Sequence, residues 1–290
     1  MTSLTTGTEV KCSDCGAPIS ASLRHCPTCQ ADAGAPNVRA CRTEENLKAL
    51  ARRFDDAKAR ASAKNCSKEF SDFSSLIEHE SGVVVTMPAR MARTLLEDPR
   101  ELYVGYETLV GSKIRKPARI ESDRQRWGVG GTLFGAYADK IRYGVLSLTA
   151  EGLPTYGDVY FRLREVAVAN RTSFLETNSY KFVEDHDIRP DGEFPEGYTA
   201  YWKDRHKLVL AKLADRLTNG QSKKNWQEIL IESNGKDRKN DSFVEAHIYE
   251  CFDRNAIESM VVSSDKKLSR EDKLDLEIAL EKFKELSGKT

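Results

Sequence analysis

The chain has 290 residues, 39% of them hydrophobic, and carries 45 basic against 45 acidic side chains. That length holds one ordinary globular domain plus a small module, and the charge balance excludes a bulk electrostatic attraction to nucleic acid or membrane, so any such contact has to be local. No stretch approaches the roughly 20 consecutive apolar residues that a membrane span needs, which predicts a soluble protein, and the reduced cysteines described next place it in the cytoplasm.

The first predicted element is a metal knuckle pair. Cys12 and Cys15, then Cys26 and Cys29, form two C-x-x-C units with ten residues between them, the spacing of a tetrahedral thiolate cage. Gly16 follows Cys15 and Pro27 lies inside the second pair, which lets the backbone fold its amides toward the sulfurs. Four thiolates close the coordination shell, so the expected zinc ion is structural. The alternative is two disulfides in a secreted module; it is disfavoured by the lack of an apolar signal segment and by the three further cysteines Cys41, Cys66 and Cys251, which have no evident role.

Gly34-Ala-Pro-Asn-Val38 reads as a linker, and Thr43 ahead of Glu44 and Glu45 predicts a capped helix running to about Lys64, with Leu47, Leu50 and Phe54 on one stripe. This helix is too polar to stand alone and should lie against something else. From Phe70 short elements are expected: a buried strand at Val83–Val85 and a helix over 89–96 stopped by Asp98-Pro99. Lys113 to Arg126 carries six basic residues against two acidic ones, either a solvated loop or a phosphate-tracking patch.

Gly128, Gly130, Gly131 and Gly135 suggest a mobile loop, because no Lys-Ser/Thr or ribose-binding acid follows at the spacing of a phosphate cradle. Strands are expected at 141–148 and 157–164, where Val159, Phe161 and Leu163 alternate with polar neighbours. A helix over 199–217 follows, with His206 as a partly buried helix residue, then a strand at 243–249, a short turn or helix at 253–259, a strand at 260–263 and a capped amphipathic helix at 269–286. Strands interrupted by single helices predict an α+β domain.

Glu245 and His247 sit two apart in the 243–249 strand, so both point to one face while Val244 and Ile248 point to the other. One reading is an edge strand with its polar face in water; the other is a fixed carboxylate with a chemical task. Glu245 with Ile248, Phe252 and Ala256-Ile257 resembles the catalytic strand and turn of ADP-ribosyltransferases of the DarT-like and polymorphic-toxin kinds. Arg142-Tyr143-Gly144, Tyr156-Gly157-Asp158 and Arg171-Thr172-Ser173-Phe174 resemble the upstream run of such domains, over roughly residues 70 to 265.

The residues themselves give a small N-terminal zinc ribbon (8–33) and a linker and connector helix (34–69); the resemblance adds an ADP-ribosyltransferase-like domain (70–290) of two small packed sheets with flanking helices. It implies NAD as substrate and Glu245 as the carboxylate beside the ribose. It further implies Arg142 as the NAD anchor, Tyr143 stacking near nicotinamide, Gly144 beside them, and Thr172 or Ser173 supporting the pocket. Many such enzymes carry Glu or Gln two positions from the catalytic residue; here that neighbour is His247, so either a different acceptor or His247 itself in the catalytic place is open. Toxins of this kind are held by an antitoxin, with a chaperone in some phage-defence systems, and those of the CmdTAC type modify messenger RNA, which makes RNA or DNA the expected acceptor. Two non-catalytic alternatives remain: a zinc-ribbon nucleic-acid-binding or adaptor protein, and a transferase fold kept for protein contact.

Overall fold

The computed structural model describes residues 10–105, 128–189, 192–236, 238, 240–263 and 268–288. Its N-terminal module is a hairpin of β1 (Val10–Lys11) and β2 (Pro18–Ile19) followed by a second turn that closes on the first. Among the described residues, Cys12, Ile19 and Cys26 form its buried core. A core that small does not hold a fold without a covalent or metal staple.

Helix α1 (Pro36–Ala40) then leads into α2 (Glu44–Ala63), whose N-cap Thr43 accepts from the Asn46 amide, as the sequence predicts. The segment read as a linker is therefore partly helical, and Pro36, Asn37 and Val38 are buried in it. Leu50, Ala57 and Ala61 are the buried stripe of α2. A left-handed Asn65 (φ 57°) turns the chain into α3 (Ser67–Glu80), which buries Phe70, Phe73 and Ile77. The expected boundary at residue 70 thus falls inside a helix.

One antiparallel sheet organises the rest, in place of two packed sheets. It comprises β3 (Gly82–Met87), β4 (Ile141–Ser147), β5 (Val159–Leu163), β6 (Thr172–Leu175), β7 (Thr199–Tyr201), β8 (Glu245–Tyr249) and β9 (Ile257–Val262), in the order β7-β6-β8-β4-β3-β5-β9. Strand β4 is the joint: its residues 141–145 pair with β8 and its residues 145–147 with β3, so the two ladders overlap only at Val145. Gly144 lies at this crossing, where a Cβ would sit 2.9 Å from the Val84 carbonyl oxygen; its absent side chain serves strand packing.

One sheet face is covered by α2, α3, α4 (Ala89–Glu97) and, later in the chain, α6 (Arg205–Leu213), α7 (Trp226–Leu230) and α8 (Arg270–Ser287). Their apolar side chains join Val83, Val85, Leu146, Phe174, Val244, Ala246 and Ile248 in the main core. Helix α8 is capped by Ser269 and packs on α4, with Arg93 bonded to Asp275 at 3.0 Å. His206 is half-buried in α6, edge-on to Phe54, as expected for a helix residue without a ligand role.

Three further expectations change. Residues 199–201 form the edge strand β7, and the helix begins only after a short 3-10 turn, because pairing with β6 (Ser173↔Tyr201) outweighs local helical preference. Gly128, Gly130 and Gly131 lie in a helical run, 128–134, where a loop was expected. Strand β9 begins at Ile257, so the 253–259 turn shrinks to Arg254–Ala256. The basic segment Lys113 to Arg126 lies outside the described residues. Among the described residues no helix is long and apolar enough to cross a membrane.

Candidate functional site

The four ribbon thiols converge, with all four Sγ atoms within 4.8 Å of one another. Cys12 meets Cys29 at 3.5 Å and Cys15 meets Cys26 at 3.6 Å, contacts across the two knuckles that are far longer than the ~2.05 Å of a disulfide bond. Each knuckle is closed the same way: Gly16 N–H donates to the Cys12 carbonyl and Gln30 N–H to that of Cys26. Both closing residues take left-handed backbone, Gly16 at φ 72° and Gln30 at φ 62°. Backbone N–H groups of Cys29 and Thr28 lower the Cys26 thiol to about 6, while crowding by the other thiols pushes Cys29 up to about 12 and raises Cys15, so the four sulfurs do not all ionise together without a cation between them. These four cysteines could hold a metal ion such as zinc, and a closed four-sulfur shell would make it structural.

The second cluster is built on β8. This strand lies inside the sheet between β6 and β4, which removes the edge-strand reading of Glu245. Register places Glu245 between Leu175 and Val145, and His247 between Ser173 and Tyr143. Both side chains are buried, at 6% and 3% exposure. A buried carboxylate costs free energy unless donors surround it, and here they do. Glu245 Oε2 accepts from the Ser179 amide at 2.8 Å, from the Ser179 hydroxyl, and from His247 Nε2 at 3.0 Å.

Ser179 opens helix α5 (Ser179–Asp185). The Asn178 side chain caps the Tyr180 and Lys181 amides, and Glu245 takes the Ser179 amide that this cap leaves over. His247 Nε2 also lies 3.1 Å from Ser179 Oγ. The carboxylate and the serine thus share one imidazole nitrogen, and the serine proton points to the carboxylate. A nucleophilic relay needs the acid on the opposite ring nitrogen from the serine, so this geometry fixes a carboxylate and does not activate an alcohol.

Lys212 of α6 secures the strand ends behind the cluster. Its ammonium donates to the carbonyls of Glu176 and Phe243, each at 2.8 Å, and so ties the residue after β6 to a residue ahead of β8. Burial lowers it to about 8.

Aromatic side chains cover the imidazole. Phe134 lies edge-on to His247 at 4.8 Å and Tyr143 at 5.5 Å. Asn37 of α1 donates to the His247 carbonyl at 2.8 Å and to Ser173 Oγ at 2.9 Å. Two surface pockets lie elsewhere, one of ≈ 320 Å³ bordered by Arg162 and Trp202, the other of ≈ 350 Å³ bordered by Arg171 and Phe252.

The sequence-predicted residues divide. Glu245, His247, Tyr143 and Ser173 share one face. Arg142 does not join them: adjacent to Tyr143 in β4 and paired with Ile248, it projects to the other side, where its guanidinium donates to the carbonyls of Asp139 at 2.7 Å and Ile141 at 3.0 Å. Thr172 likewise pairs with Ile248, and its hydroxyl caps the Val168 carbonyl. Ser179 and Asn37 are the residues that sequence reasoning missed. The only local signal for Ser179 was Asn178 as a helix cap. Compared with known proteins, the chain matches no family model, no curated protein and no solved structure.

Proposed function

We propose that this protein is a mono-ADP-ribosyltransferase of the toxin kind, which cleaves NAD and transfers ADP-ribose to a macromolecule, nucleic acid and RNA in particular being the favoured acceptor. The observation that carries the reading is a carboxylate on an interior strand, Glu245, oriented by Ser179 and His247 on a face that also bears Tyr143 and Ser173. Cleavage of the bond between nicotinamide and C1′ sends the electron pair out with nicotinamide and leaves cationic character on the ribose. A carboxylate already fixed by its donors stabilises that charge without reorganising.

Tyr143 offers a ring for nicotinamide and Ser173 a hydroxyl for a ribose oxygen. The acceptor's N–H or O–H then attacks C1′ and surrenders its proton, for which the His247–Glu245 pair is the nearest base. The ribbon and the basic segment supply the acceptor contact in this reading, and an antitoxin or chaperone restrains the enzyme between uses. Arg142 has no part in it.

A second reading, a metal-stapled binding or adaptor protein, is favoured by the closure of the Glu245 face under Asn37 and Phe134 and by the second-cap role of Glu245 on α5. One experiment separates the two. The protein is incubated with NAD labelled in the adenylate, and RNA, DNA and protein pools are recovered. Label in one pool, lost with Glu245→Gln, is the expected result; no label in any pool, with both chains alike, leaves the binding reading.

A further inference from the structure

We infer that α1 is an internal plug over the Glu245 face, gripped from behind by the cysteine ribbon, so that the ribbon gates the site. The inference rests on reading that face as the NAD site. Residues 34–38 have the composition of a linker, yet Pro36, Asn37 and Val38 are buried against the sheet. Ala35 and Val38 pack with Phe134, Ile141 and Tyr249, and Tyr143 borders the same cluster. Asn37 spends its amide protons on the His247 carbonyl and on Ser173 Oγ, the hydroxyl that a ribose would use.

The plug is held imperfectly. Asn37 Oδ1 is buried with no partner among the described residues, and a buried acceptor left unpaired is destabilising. A segment that carries such a penalty while covering functional polar groups is a better candidate for release than a fully satisfied core element.

The grip comes from two arginines. Arg39, on α1, donates to carbonyls of Ala33 and Gly34 with one nitrogen and to those of Ser20, Ala21 and Leu23 with the other, the shortest contacts being Gly34 at 2.6 Å and Leu23 at 2.7 Å. Residues 20, 21 and 23 lie between the two cysteine knuckles, so these carbonyls converge on Arg39 only while the thiol cluster keeps its shape. Arg24 of the ribbon pairs with Asp32 at 2.8 Å and with Glu250, just past β8, at 3.1 Å. Loss of the metal, or a partner that pulls on the ribbon, would therefore slacken the hold on α1 through Arg39.

Cys41, the C-cap of α1, is 3% exposed and reports the plug directly. The test compares zinc-loaded full-length wild type with Arg39→Met and Arg24→Ala, measuring peptide-mapped iodoacetamide labelling of Cys41 and, separately, hydrolysis of labelled NAD. Cys66, equally buried but in the turn between α2 and α3, is the control for global opening. The plug predicts that Cys41 labels about tenfold faster in Arg39→Met and less than that in Arg24→Ala, with Cys66 unchanged, and that NAD turnover rises in the same order. Cys41 labelling that is unchanged in both variants, or that rises only together with Cys66, overturns the plug even where NAD is cleaved. Faster Cys41 labelling with no NAD cleavage in any chain supports a releasable plug and overturns the transferase reading instead.

Discussion

Strand β8 has two faces built on opposite plans. Val244, Ala246 and Ile248 face a continuous aliphatic and aromatic core under α2, α3 and α6, whereas Glu245, His247 and Tyr249 face a mixed layer made by α1, α5 and the 128–134 run. The first face needs only volume and shape to be satisfied. The second needs a particular donor for each acceptor, and one of its members, Asn37 Oδ1, lacks even that. One side of this strand is interchangeable packing and the other a specified polar network, and the proposed chemistry is assigned to the second.

Breaking the aliphatic side should have the largest effect on stability. Phe174 is fully buried there, and Phe174→Ala is expected to cost about 3–5 kcal/mol, read as a fall in the urea midpoint. On the polar side, Glu245→Ala removes the shared acceptor of Ser179 and His247 and is expected to cost about 1–3 kcal/mol while abolishing NAD cleavage. That second loss is the sharper one, since no packing variant on the opposite face should reproduce it at equal stability.

Lys212, behind the cluster, sharpens the comparison through pH. Burial puts its folded-state pKa at about 8 against an ordinary 10.5. Between those values the unfolded chain binds more protons than the folded one, so this group adds stability as pH rises through that window. Wild type should gain about 1–2 kcal/mol over Lys212→Met between pH 7.5 and about 9.5, measured by urea unfolding at each pH; a parallel pH course for both chains would contradict the assignment. The smallest effect is expected at the solvent rim of the aliphatic side. There Asp215 pairs with Arg60 and Lys64, all half-exposed, and Asp215→Asn should cost less than about 1 kcal/mol, shrinking with added salt.

What the sequence revealed follows from how local each determinant is. The cysteine knuckles, the Thr43 and Ser269 caps and the Val83–Val85 strand are written in a few neighbouring residues, and each is where the spacing puts it. Helix α3 was missed although Phe70, Phe73 and Ile77 stand at helical spacing, and the expected boundary cut through it. Strand β7 and helix α1 were not legible in the same way. Thr199–Tyr201 becomes a strand through its pairing with β6, and Gly34–Val38 looks like a linker because the partners of Asn37 are Ser173 and His247, more than a hundred residues away.

The candidate site divides along the same line. The side-chain period of two put Glu245 and His247 on one face from sequence alone, and that same period, applied to Arg142 and Tyr143, separates the arginine from them. Ser179 could be found only once the fold had carried α5 onto β8.

The most direct test of the account is NAD cleavage by the zinc-loaded Arg39→Met chain, with and without Glu245→Gln in the same background. The account predicts release of nicotinamide that falls at least about a hundredfold with Glu245→Gln, under assay conditions where urea unfolding shows both chains folded. Equal nicotinamide release from the two chains, or none from either with Cys41 freely labelled, would contradict it.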